Sequence, residues 1–88
     1  MGAHVDPDDL NDFTNQLENY IQNVNDDTAD LKRAFGNVSD SWNDEKQAEF
    51  AEFLEELERA IQNFTERAED EVPRLRRMEE HIREYQQS

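Results

Sequence analysis

Carboxylates and histidines are the side chains of this chain that could hold a metal ion or move a proton. There are 23 Asp and Glu residues and two His, His4 and His81. A dinuclear carboxylate centre inside a helical bundle needs inward Glu residues and Glu-x-x-His pairs. Met78 stands three residues before His81 and Met1 three before His4, so neither histidine completes such a pair. Asp26-Asp27-Thr28-Ala29-Asp30 has the acid density of a calcium loop. It lacks the turn Gly and the closing bidentate Glu, and it sits inside a continuous helical pattern. There is no Gly-rich phosphate loop, and two histidines in an extended helical chain assemble no Ser–His–Asp relay. Cysteine is absent, which removes zinc thiolates, thiol catalysis and disulfides. The sequence therefore predicts a non-enzymatic protein with no catalytic residue, no metal ligand and no cofactor.

The remaining side chain of note is Trp42, alone of its type. A Trp at the start of a helix can cover the end of a helix pair, here Phe35 and Val38, or anchor a partner. What must position it are two long amphipathic segments. In the first, Leu10, Leu17, Val24, Leu31 and Val38 recur every seven residues, with Phe13, Tyr20, Asp27 and Ala34 in a second row. Thr14, Ile21, Thr28 and Phe35 form a third. This breadth of stripe is that of a bundle helix. Asp6 followed by Pro7, Asp8 and Asp9 predicts its N-terminus, and Gly36 a C′ residue ending it. Ser41 then reads as the next N-cap, with Asp44 in the capping-box position. The second segment carries Phe50, Leu57, Phe64, Glu71, Met78 and Tyr85 in one row and Leu54, Ile61, Ala68, Leu75 and Ile82 in another, widened by Phe53 and Ala60. Pro73 removes a backbone donor within that phase, so a kink or a break with restart is expected near it.

The fold class is thus all-α: one domain over 1–88, an antiparallel two-helix hairpin of about 7–35 and 41–86, kinked near Pro73 and pairing into a four-helix bundle. A turn centred near residue 38 sets residue i opposite about residue 77 − i, so a first helix starting at Pro7 runs out opposite about residue 70. On this register 74–88 is a helical extension beyond the hairpin. Its Leu75, Met78, Ile82 and Tyr85 then need a partner, and they join Trp42, Phe35 and Val38 as the expected interface and turn residues.

Net charge is −14, with only nine Lys and Arg. Such a surface repels phosphate backbones and anionic lipid, which argues against nucleic-acid and membrane-surface partners. It suits solubility, a basic partner or high salt. The charge is uneven, because Arg74, Arg76, Arg77 and Arg83 sit in the last stretch. No run approaches the ~20 apolar residues of a membrane span, and no basic-then-apolar leader opens the chain. The expected location is the cytoplasm, with any export by a route that uses no signal peptide.

Size, acidity, lack of cysteine and two helices joined at a Trp-bearing turn resemble the WxG, or ESAT-like, family of small helical hairpins. The stretches that carry the likeness are His4-Val5-Asp6-Pro7-Asp8-Asp9-Leu10 and Ser41-Trp42-Asn43-Asp44 followed by Phe50. The chain departs in two places. Asp44 stands where the family has Gly two residues after Trp, and Tyr85 lacks the acid four residues on that would complete the family's export tag. The resemblance implies a homodimer, higher homo-oligomer or heterodimer with a WxG-like partner, serving a type VII-like secretion system. The alternative from charge alone is a cytosolic acidic scaffold, chaperone or antitoxin-like protein that masks a basic partner.

Overall fold

A computed structural model describes residues 5–87; His4 and Ser88 lie outside the described residues. Two helices, α1 (Pro7–Ser39) and α2 (Glu45–Gln87), form an antiparallel hairpin measuring 67 × 19 × 16 Å. Helix α1 starts where the sequence predicts. Asp6 lies in extended backbone and its carboxylate accepts the Asp8 N–H at 2.8 Å, with Pro7 in the first helical turn. Asp8 and Asp9 place negative charge on the positive helix end.

The turn corrects the expected boundaries. Helix α1 does not stop at Gly36 but continues one further turn to Ser39, and no described residue has a positive φ. The last carbonyls are taken by serines instead of a glycine cap: Ser39 Oγ donates to Gly36 O at 3.0 Å and Ser41 Oγ to Val38 O at 3.2 Å. Ser41 is therefore part of α1's ending. The cap of α2 is Asp44, whose Oδ1 accepts the N–H groups of Lys46 at 3.0 Å and Gln47 at 3.3 Å.

Moving the turn to Asp40–Asp44 moves the register. Tyr20 meets Phe64, Lys32 pairs with Glu58, Arg76 reaches Asn15, and Arg83 reaches Asp8. Facing residues therefore lie near 84 − i to 91 − i, where a turn at residue 38 predicted 77 − i. The expectation that nothing of α1 accompanies 74–88 is overturned, since α1 flanks α2 as far as Arg83. Pro73 lies inside one unbroken helix, so the alternative of a break with restart is not what the chain does.

Close approach of the helices is made by small and β-branched side chains. Leu10, Ile21 and Ala68 are buried, as are Thr14 and Thr65. The threonine hydroxyls meet no unsatisfied burial: Thr14 Oγ1 donates to Leu10 O at 2.8 Å, and Thr65 Oγ1 to Gln62 O at 3.1 Å. Leu17, Val24, Thr28, Leu54, Ile61, Val72, Leu75 and Ile82 continue the seam half-buried.

Candidate functional site

Helical spacing divides the hairpin into two unlike sides. At about 100° per residue, Asn11, Asn15, Glu18 and Lys32 of α1 and Glu58, Arg76 and Arg83 of α2 fall on one side of the seam. That side is tied across by polar groups. Arg76 donates to Asn11 at 3.2 Å and Asn15 at 2.9 Å and also engages Glu18. Arg83 donates to Asp8 at 3.0 Å and to Glu79 at 2.9 Å, and Lys32 pairs with Glu58. These hydrogen bonds, Glu79 first and then Asp8, hold the Arg83 guanidinium above its ordinary pKa.

The other side carries no such clamps among the described residues. By the same spacing it gathers Phe13, Tyr20, Leu31 and Val38 from α1 with Phe50, Phe53, Phe64, Met78 and Tyr85 from α2. These are the exposed large apolar side chains of the described residues; Phe13, Tyr20 and Phe53 are each more than half exposed. Tyr20 and Phe64 meet edge to face across the seam with centroids 5.8 Å apart, which fixes both helices' rows to the same side. At the turn end the rings run in series. Phe35 and Trp42 lie 6.3 Å apart, Trp42 and Phe50 5.6 Å, and Phe50 and Phe53 6.5 Å.

The residues expected at the interface separate on this map. Leu75 and Ile82 are half-buried along the seam, Phe35 and Trp42 are partly covered by each other, and Val38, Met78 and Tyr85 are exposed. Asp27 is exposed at the edge of the aromatic side. Phe13, Tyr20, Phe53 and Phe64 belong to this side although none of them is among the interface residues expected from the sequence. The signal was present in their heptad spacing, but nothing in one sequence says which apolar row meets the intramolecular neighbour. Tyr85 is the most exposed of the large apolar residues at 85%. His81 lies on the surface with Nδ1 3.9 Å from Glu84.

The arrangement offers an extended surface. A compact monomer of 10.4 kDa exposes about 5,400 Å², whereas this chain exposes 7040 Å². The excess is about twice the ~800 Å² that each partner contributes to a standard protein–protein interface. No helix among the described residues is long and apolar enough to cross a membrane. A family model named WXG100, described as proteins of 100 residues with WXG, matches residues 3–87. No curated protein and no solved structure gives a significant match.

Proposed function

The chain belongs to the WXG100 family of small helical proteins associated with type VII secretion, and from that premise we propose that it acts by pairing its aromatic side with a second helical hairpin. The partner is another copy or a sister protein, and the product is a four-helix bundle that serves as a component or escort in the secretion system. The observation that carries this reading is the grouping of exposed rings on the unclamped side of the seam. Apolar patches of that extent on a soluble chain mark contact surfaces. A helix pair whose buried large apolar side chains among the described residues are as few as Leu10 and Ile21 gains stability by covering its second stripe.

The test is solution mass by light scattering for the wild type and for the Tyr20→Ser/Phe64→Ser variant. Both side chains are exposed in the hairpin, at 55% and 41%, so the variant gives up their edge-to-face contact between the helices but none of the buried seam residues. The wild type is expected at twice 10.4 kDa or more, or in complex with a sister protein, and the variant at the monomer mass with its helicity kept. Equal mass and equal partner capture for both proteins would sink the proposal.

A further inference from the structure

The turn end differs from the rest of the aromatic side in its charge. Between Asp40 and Glu56 there are seven acids against Lys46 alone, a net of −6. Lys46 is already paired with Glu49 at 3.3 Å. Asp44 is used as the helix cap, but Glu49 and Glu56 lie one turn before and one turn after Phe53, on the outer edge of the same side. Phe53 itself is 55% exposed and Phe50 49%, and Trp42 closes the series at the tip. Ring faces attract cations as well as apolar groups, and carboxylates flanking a ring series strengthen that preference.

We infer that this acid-flanked ring series is a docking site for a basic amphipathic helix of a partner protein, one carrying Arg or Lys beside an apolar stripe. The apolar stripe lies on Trp42, Phe50 and Phe53, and the cations reach Glu49 and Glu56. An acidic or neutral helix would leave the acids facing like charge or nothing. The inference rests on the reading of the aromatic side as a contact surface and names the chemistry of what its turn end accepts.

Trp42, the sole Trp, reports directly on occupancy. The full chain is titrated, at low and high salt, with a synthetic helical peptide bearing Arg on its polar positions and Leu on its stripe, and with its Glu-for-Arg counterpart. The Arg peptide is expected to shift Trp42 emission and to lose affinity in high salt, while the Glu peptide gives no shift. The Glu49→Gln/Glu56→Gln variant should weaken the Arg peptide about fivefold, as loss of two exposed charge pairs implies. The Glu66→Gln/Glu69→Gln variant, with equal charge removed away from the rings, should change it little. Equal binding of both peptides, binding of neither, or equal weakening by the two variants would each overturn the inference. If Trp42 emission instead follows the chain's own concentration in step with its mass, the ring series is covered by a second copy. The basic partner helix is then refuted while the pairing reading stands. A monomeric mass with no response to either peptide refutes both the basic partner helix and pairing with a second copy, and leaves a sister protein to the capture test.

Discussion

Asp44 shows how a single position can keep a turn working after its familiar residue is gone. It stands where a Trp-x-Gly turn would have Gly, and its carboxylate accepts the first free N–H groups of α2. Replacing such a cap by Ala costs about 1 kcal/mol, but replacing it by Gly only a few tenths. Asp44→Ala is therefore expected to lower the melting temperature by about 4–8 °C, and Asp44→Gly by far less. Thermal melts of the two variants check this, and equal losses would mean that the carboxylate's bonds are not what holds the turn. The cap could not be read from the sequence alone, because Ser41 is an equally good cap residue three positions earlier. Ser41 is used instead to finish α1. Arg83 is a residue of the opposite kind. With its folded-state pKa raised, its stabilising charge is fully present below the ordinary arginine value and is lost only as pH climbs through the still higher folded value. Its clamp thus gives no pH dependence near neutrality.

At the scale of the elements, the helices were legible from their heptad rows and the register was not. Two long amphipathic segments, the Asp6-Pro7 start and continuation past Pro73 all follow from spacing and local chemistry. The register depended on where α1 ends, and Gly36 is compatible with a helix interior as well as with a C′ position when other groups take the last carbonyls. That misplacement moved the partners of α1 residues by about two to four turns of α2. Which row becomes the seam was likewise illegible, since each helix carries adjacent apolar rows and the ring-bearing ones hold the bulkiest side chains. The seam went to Thr14, Thr65, Ala68 and their neighbours because small side chains let the helices approach, which leaves the rings outside. Ile61 lies on the seam, so Ile61→Asp sets an unpaired charge between the helices and should unfold a chain whose total stability is of order 5–15 kcal/mol. A variant with unchanged helical circular dichroism and melting would refute the seam assignment. Pro73 lies in the interior of α2, where its ring and missing N–H oppose the helix. Pro73→Ala should raise the melting temperature, by an amount corresponding to at most ~3 kcal/mol. A fall would show that the chain uses the proline's distortion to follow α1.

For the whole molecule, the balance lies between a long, thin shape and a charge of one dominant sign. The hairpin extends 67 Å, with 23 acids against nine Lys and Arg. Exposed charges interact over a Debye length of about 10 Å at 0.1 M salt and about 3 Å at 1 M. Salt therefore weakens two things at once: the repulsion among acids along both helices, and the attraction in the Arg76, Arg83 and Lys32 clamps. The clamps are few and largely solvent-exposed, a class of pair that contributes little. The repulsion is spread over the whole surface and increases when a second acidic hairpin is brought against the first. Pairing by the aromatic side is apolar and is strengthened, not screened, by excluded salts. Screened repulsion and strengthened apolar contact act in the same direction. Raising sodium chloride from low to molar concentration should increase the melting temperature and shift the mass distribution toward the paired form. Melting curves and light scattering over one salt series test the two together. A lower melting temperature at high salt would mean that the clamps outweigh the repulsion. Stabilisation with unchanged mass would mean that the charge acts on the hairpin alone and that the aromatic side awaits a different protein.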